Sequence, residues 1–353
     1  MEQLYCVIMA GGRGERFWPL STKNVPKPFV RLFGDRTMIQ MTVDRILGLV
    51  PLDHIFVVLG GEHEQVARKQ LANLGKDQFI VEPAGRDTAA CIGLAATLLH
   101  RRDPEGVMIV LPADHYIPDT AAFIRTVSRT VEWAMRGDFL VTVGINPTRP
   151  DVGYGYIKAG ESVTDADPST CKVDRFVEKP DLEKALQYLS EGIYYWNAGL
   201  FVWRTRALLD GLKRHMGELY RGLAEIDRAM SEGNAETVAR VFAGFNKVSI
   251  DYGLMEKADN VLMVKANFAW DDVGTWGSLR RVMELDGNGN FRSGRTICVD
   301  TKDCVVYGQD VPVGTVGVED LIVVASPGGV LVCDGRRDQE TRQIAKMFDE
   351  EGS

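Results

Sequence analysis

Between Ala10 and Arg31 the chain carries five basic residues, Arg13, Arg16, Lys23, Lys27 and Arg31, against one acid, Glu15. That window is net +4 in a chain whose formal charge is −8. A cationic island in an acidic chain points to a local anion site rather than to a general nucleic-acid or anionic-membrane binder. The stretch reads Ala10-Gly-Gly-Arg-Gly-Glu-Arg-Phe-Trp-Pro-Leu-Ser21, and Lys27 follows between Pro26 and Pro28. Gly11, Gly12 and Gly14 let backbone N–H groups approach a phosphate closely and form an anion nest. Arg13, Arg16 and Lys27 supply charge for a triphosphate. A Walker-type loop is excluded, because Gly14 is followed by Glu15-Arg16 instead of Lys-Ser/Thr. A dinucleotide fingerprint is disfavoured, because Phe17 stands where Gly or Ala is required.

Carboxylates recur where such a loop needs them. Leu111-Pro-Ala-Asp114 sets an acid just past an apolar run, a position suited to a metal, with a turn or helix N-cap as the alternative. Asp271 and Asp272 sit between Trp270 and Gly274, and the simplest reading of Asp271 is a surface acid. Glu178 and Lys179 are adjacent and would point to opposite faces of a regular strand. They reach one ligand only if the strand ends there, which Pro180 permits; the alternative is an exposed ion pair opening the next helix. Asn197-Ala-Gly199 interrupts an aromatic run from Tyr194 to Trp203, a small polar turn that suits a sugar.

The elements that must position these groups alternate. Strand patterns at Leu4–Met9, His54–Leu59, Phe79–Val81, Val107–Leu111 and Phe139–Gly144 are separated by helical patterns at Thr37–Val50, Glu62–Leu74, Thr88–His100 and Thr120–Arg136. This rhythm predicts an α/β fold, a Rossmann-like, mostly parallel mixed sheet with helices on both faces. Tyr156–Ala159, Lys172–Glu178 and Tyr194–Trp203 read as further strands, Thr205–His215, Glu218–Glu232 and Ala235–Phe242 as helices, and Trp276–Leu285 as a last helix. From about Asp286 short β-rich pieces follow a Gly287-Asn-Gly-Asn290 turn cluster. The expected division is a nucleotidyl-binding body over 1–285 and a small C-terminal β-rich appendage over 286–353 that ends in a short helix, Gln339–Phe348. Six cysteines without a C-x-x-C pair suggest reduced thiols and a cytoplasmic protein. The N-terminus shows no signal-peptide pattern, and no apolar run is long enough to span a membrane.

Taken together, these motifs resemble those of the nucleoside-diphosphate-sugar pyrophosphorylases. The signature is Gly11-Gly-x-Gly-x-Arg-x-Trp-Pro-x-Ser21 followed by Pro26-Lys27. Its Phe17-Trp18-Pro19-Leu20-Ser21 version is most similar to the mannose-1-phosphate guanylyltransferase branch. The likeness continues in order through Glu82-Pro-Ala-Gly-Arg-Asp-Thr-Ala-Ala90, Leu111-Pro-Ala-Asp-His115, Gly153-Tyr-Gly-Tyr-Ile157, Phe176-Val-Glu-Lys-Pro180, Trp196-Asn-Ala-Gly-Leu-Phe201, Ser249-Ile-Asp-Tyr252 and Trp270-Asp-Asp-Val-Gly-Thr-Trp276. Each motif alone is weak; eight in order are specific.

The resemblance implies transfer of GMP from GTP to mannose 1-phosphate, giving GDP-mannose and pyrophosphate. It implies that Arg16 and Lys27 stabilise the pyrophosphate and that Lys179 holds the sugar phosphate. Ala10, Gly11, Gly12 and Gly14 would cradle the nucleotide, and Glu82, Arg86, Asp87 and Thr88 would approach the purine. Many relatives carry Asn at the position of Asp87. Gly153, Tyr154, Glu178, Asn197 and Asp251 would face the sugar, with Gly153-Tyr154-Gly155 as a flexible loop over it, although Asp251 equally suits a helix cap. Asp114 and Asp272 would hold Mg²⁺. Rival readings are the same chemistry with UTP or ATP and glucose 1-phosphate, and a non-catalytic nucleotide-sugar-binding regulator. Bifunctional relatives carry a linked isomerase domain after the β-rich tail, so a monofunctional form is expected. Short exposed strands need covering, which makes the appendage a candidate homodimer surface.

Overall fold

The computed structural model describes residues 3–12, 14–165 and 167–351; Arg13, one of the expected loop cations, lies outside them. Among the described residues a nine-stranded sheet runs β3-β2-β1-β4-β8-β5-β9-β7-β6. Its strands are β1 (Leu4–Met9), β2 (Ile55–Gly60), β3 (Phe79–Glu82), β4 (Val107–Pro112), β5 (Leu140–Ile145), β6 (Tyr156–Ser162), β7 (Thr170–Val177), β8 (Tyr194–Arg204) and β9 (Val261–Lys265). The β3-β2-β1-β4 half is parallel throughout. The antiparallel partners β8 and β7 are the two reversed strands, so the rest of the sheet points one way.

Alternation along the strands sorts the core into two layers. Cys6, Ile8, Val57, Leu59, Ile109 and Leu111 face α1 (Met38–Ile46), α2 (Glu64–Gln70) and α4 (Thr120–Arg136). Tyr5, Val7, Phe56, Val58, Met108 and Val110 face α3 (Asp87–Arg102), α6 (Thr205–His215), α7 (Gly217–Ser231) and α8 (Ala235–Ala243). Side chains start several helices: Asp119 Oδ1 accepts from Ala122 N at 2.8 Å for α4, and Asp181 Oδ1 from Lys184 N at 2.9 Å for α5 (Leu182–Glu191).

β9 has no counterpart among the expected strands. Its five residues, four of them apolar, are too short a run to declare a strand, yet they fill the gap between β5 and β7. The expected helix over Trp276–Leu285 shortens to a 3₁₀ turn, Trp276–Ser278, and one α turn, α9 (Leu279–Val282). Arg280 and Arg281 within it are drawn sideways onto Asp303 and Asp271.

The C-terminal sheet comprises β10 (Phe291–Val299), β11 (Val305–Val316), β12 (Leu321–Ser326) and β13 (Gly329–Asp334), followed by α10 (Thr341–Glu351). β10, β11 and β12 pair in parallel although short turns connect them, so the chain coils; β13 folds back antiparallel. The coil's turns put Asp300, Asp303, Asp310 and Asp320 in the left-handed region, which Asp tolerates better than most side chains. A third core cluster joins this coil to the glycine-rich loop: Phe17, Trp18, Leu20 and Trp276 bury against Phe291, Val305, Tyr307, Ile322 and Ala345. Trp276 Nε1 donates to Trp18 O at 3.1 Å, and Tyr307 OH to Arg31 O at 2.6 Å. Among the described residues no helix is long and apolar enough to cross a membrane, and the six cysteines are free.

Candidate active site

The loop leaves β1 at the carboxyl edge of the parallel half, where open α/β sheets bind ligands. Gly14 has φ +62°, and a Cβ there would lie 2.6 Å from the backbone N and Cβ of Lys27. Only glycine permits that approach, and the approach seats Lys27. The Lys27 side chain is 8% exposed. Its Nζ donates to Asp114 Oδ2 at 2.9 Å and to the carbonyl oxygen of Asp272. Two residues far apart in sequence are thereby fastened to the loop. Gly11 and Gly12 face open space, as a ligand-facing nest requires.

A cavity of about 520 Å³ opens beside this junction. It is lined by Gly11, Gly12, Glu82, Arg86, Asp87, Thr88, Asp114, Gly153, Tyr154, Glu178, Lys179, Asn197, Asp251 and Asp272, so most of the expected site residues share one cavity. Gly14, Arg16 and Lys27 line a second, smaller cavity of about 290 Å³. Ala10 lines neither; it is buried, with its N–H given to Val58 O. Lys27 belongs to the small cavity and its partner Asp114 to the large one, so the Lys27–Asp114–Asp272 junction is the seam between the two.

Burial opposes ionisation of Asp114, but the Lys27 ammonium beside it holds the carboxyl below its usual range. Tyr154 is buried, and its hydroxyl donates to Asp272 Oδ1 at 2.7 Å while accepting from Arg149 Nη2 at 3.0 Å. The ring sits edge-on to Trp196 and Trp270. Tyr154, expected in a flexible loop over the sugar, lines the large cavity and commits its hydroxyl to orienting Asp272. Asp271 is not a surface acid. It is 2% exposed, accepts from Val273 N at 2.8 Å, and pairs with Arg281 at 3.2 Å and Arg149 at 3.5 Å. The turn it braces holds Val273 at φ +49°, a costly conformation for a β-branched residue and one that concentrates at functional sites.

On the far wall, β7 stops at Val177 and Lys179 takes φ +33°. Glu178 and Lys179 therefore both face the cavity, as an ion pair of 2.9 Å. β8 bulges where Asn197 and Phe201 oppose Gly144 and Thr142. Asn197 is turned so that Oδ1 accepts from Gly199 N at 3.0 Å and Nδ2 donates to Asp251 Oδ1 at 2.6 Å. Asp251 opens a single wide π-type turn, but Ser249 Oγ is the group that accepts from Tyr252 N there. Burial raises the Asp251 carboxyl, and Asn197 counteracts this.

At the third wall, β3 ends on Glu82, whose Oε1 is buried without a partner. Burial, assisted by nearby Glu62, pushes its carboxyl up to about 7. Asp87 has φ +66° and accepts from Thr88 N at 2.7 Å. Asn would serve both purposes as well as Asp does. Thr88 Oγ1 accepts from Ile250 N at 2.9 Å, and Arg86 donates to Ala243 O at the end of α8.

Two groups stand out that sequence reasoning gave no role. His115 lines the large cavity, and burial lowers it to about 4, so it is neutral. Trp270 Nε1 donates to its Nδ1 at 3.1 Å, which leaves the proton on Nε2. Its place directly after Asp114 was the available signal. Arg149 braces Tyr154 and lies over Trp196 at 4.9 Å, a role that no motif announces.

A glycine-rich loop, a buried lysine joining the Asp114 carboxylate to the Asp272 carbonyl, and a polar cavity at the sheet's carboxyl edge define a nucleotide-handling α/β enzyme. Residues 5–288 match the family model "Nucleotidyl transferase", and residues 294–347 match "MannoseP isomerase/GMP-like beta-helix domain". The mannose-1-phosphate guanylyltransferase of Escherichia coli K12 is 38% identical over 361 residues, covering 99% of this chain and 74% of the relative. The alginate biosynthesis protein AlgA of Pseudomonas putida is 35% identical over 350 residues, covering 98% and 72%. A solved structure from Thermus thermophilus, named a mannose-1-phosphate geranyltransferase, is 36% identical with a TM-score of 0.88, covering 98% of this chain and 99% of that one. The chain belongs to the nucleotidyl transferase family, in the branch whose members are named mannose-1-phosphate guanylyltransferase.

Proposed function

We propose that this enzyme transfers GMP from GTP to mannose 1-phosphate, forming GDP-mannose and releasing pyrophosphate. The observation that carries the reading is the seam, with a cationic cavity on one side and a polar cavity on the other. An α-phosphate at the seam has its β- and γ-phosphates on the Arg16 side and its nucleoside on the Glu82 side. A phosphate oxygen of the sugar 1-phosphate forms the new bond to the α-phosphorus. The bond to the β-phosphate oxygen breaks, and its electron pair leaves with pyrophosphate. The nucleophile is already anionic, so no general base is required, and catalysis rests on positioning and charge neutralisation.

Arg16, Lys27 and the nest N–H groups neutralise the leaving group. Lys179 receives the sugar phosphate, displacing its contact with Glu178, while Glu178, Asn197 and Asp251 accept from and donate to sugar hydroxyls. Glu82 accepts from guanine N1–H and the 2-amino group. Asp114 and Asp272 fit a Mg²⁺ ion, which takes one or two carboxylates and completes its shell with phosphate oxygens and water. When bound, it would polarise the reacting phosphates. The body over 1–285 would carry the chemistry and the coil over 286–353 would brace the loop. Free thiols support a cytoplasmic setting. Exposed Ile297, Val299 and Val316 on the coil support a homodimer.

Pyrophosphate release across a panel of nucleotides and sugar 1-phosphates tests the reading. GTP with mannose 1-phosphate should be fastest. Preference for UTP or ATP with glucose 1-phosphate would overturn the substrate assignment. Binding of GDP-mannose without turnover of any pair would favour a regulator. Asp114→Asn should cut turnover by about 100-fold or more with the fold intact by circular dichroism; near-normal turnover would remove Asp114 from the chemistry.

A further inference from the structure

The small cavity on the Arg16 side of the seam is not closed by the catalytic body alone. Its lining is Gly14, Glu15, Arg16, Phe17, Lys27, Gly274 and, from the C-terminal helix, Arg342. α10 docks on the loop through Thr341, Ala345 and Phe348, whose i, i+4, i+7 spacing places them on one helix face. Thr341 and Ala345 are buried, and the Phe348 ring stacks on Trp18 with centroids 5.0 Å apart and planes 6° apart. Arg342 follows Thr341 at the margin of that face and reaches the cavity beside Arg16. Among the described residues neither Arg16 nor Arg342 has an ion-pair partner, whereas Glu15, the one acid in the lining, has a contact of its own.

We propose that Arg342 is a phosphate-binding residue for the β- and γ-phosphates of the nucleotide and for pyrophosphate. This rests on the reading of the small cavity as the pyrophosphate side of the seam. The physical reason is charge. Two guanidinium groups without ion-pair partners among the described residues line one cavity beside Lys27, whose own charge Asp114 offsets; the two repel each other until an anion with several oxygens enters. The C-terminal coil thereby contributes a ligand to the substrate, and its docking through Trp18 and Phe348 sets where that ligand stands.

The test separates pyrophosphate from nucleotide sugar, because GDP-mannose lacks the phosphates that leave. Calorimetric titration of the full-length enzyme with inorganic pyrophosphate should show about 10- to 100-fold weaker binding in Arg342→Ala, the range of a charged hydrogen bond. GDP-mannose affinity should stay within about twofold, and Arg342→Lys should recover part of the loss. In the pyrophosphorolysis direction KM for pyrophosphate should rise by a similar factor while KM for GDP-mannose holds. Arg342 is exposed and unpaired, so the melting temperature should not move. Unchanged pyrophosphate affinity in Arg342→Ala would overturn the proposal, and so would a parallel loss of GDP-mannose binding. Arg342-dependent pyrophosphate binding in a wild-type enzyme that turns over no substrate pair would sustain the proposal while refuting the assigned activity.

Discussion

Glu82→Gln tests the base pocket through two readouts that move in opposite directions. In the ligand-free enzyme burial raises the Glu82 carboxyl from 4.5 to about 7. Below pH 4.5 both folded and unfolded states hold the proton, and Glu82 adds no pH dependence. Between 4.5 and about 7 the unfolded chain has lost it and the folded chain has not, so stability falls as pH rises and levels off above 7. At about 1.4 kcal/mol per pH unit the full span is on the order of 3 kcal/mol, and partial exposure of the residue reduces this to about 2. Glutamine has no such slope. Glu82→Gln should therefore match wild type near pH 5 and exceed it by about 2 kcal/mol at pH 8, read from denaturant or thermal melts. Binding runs the other way. Guanine donates two hydrogens to the carboxylate form, so wild-type affinity for GTP should rise about tenfold from pH 6 to pH 8 and then level off. Glu82→Gln should bind GTP about 10- to 100-fold more weakly at pH 8 and lose its preference over ATP. The titration of the nucleotide's own phosphates is common to both proteins and cancels in their ratio. Parallel pH profiles for GTP binding in the two proteins, with no stability gain in the variant, would refute the assignment of Glu82.

Two further substitutions probe the seam. Gly14→Ala places a Cβ 2.6 Å from the Lys27 backbone at a φ of +62°, so melts should show a loss of about 2 kcal/mol or more, and kcat should fall because Lys27 is displaced. Tyr154→Phe removes the 2.7 Å hydrogen bond to Asp272; kcat should fall about tenfold, with KM for GTP nearly unchanged, in steady-state pyrophosphate release.

Local chemistry is legible in the sequence and long-range pairing is not. The glycine loop announces itself because its glycines, cations and preceding strand lie within a few residues. The parallel half of the sheet follows from alternation of short apolar runs and amphipathic helices. Glu178 and Lys179 can be brought to one ligand on paper because Pro180 ends the strand, and β7 does end just before them. Asp271 misleads because an acid beside an acid looks solvated; nothing nearby reveals that Arg149 and Arg281 arrive from elsewhere to bury it. β9 escapes notice because five residues carry no period. Arg342 carries no signal, because its meaning depends on where α10 docks.

The charges along the seam form a single alternating chain. Lys27 binds Asp114 and the Asp272 carbonyl, Asp272 accepts from Tyr154, Tyr154 accepts from Arg149, Arg149 pairs with Asp271, and Asp271 pairs with Arg281. Burying that many polar groups is not an efficient route to stability, since apolar packing of the same volume does as well or better. What the chain supplies is position. Asp272 cannot turn away from the loop without unpairing Tyr154 and then Arg149, each held against Trp196. The left-handed Val273 stays strained for the same reason: its N–H is held by the Asp271 carboxylate that closes the chain. Asp114 and Asp272 are thus held on the lining of one cavity before substrate arrives, Asp114 by Lys27 and Asp272 by Tyr154. A site whose catalysis rests on orientation and neutralisation, without a proton to move, requires that preorganisation above all.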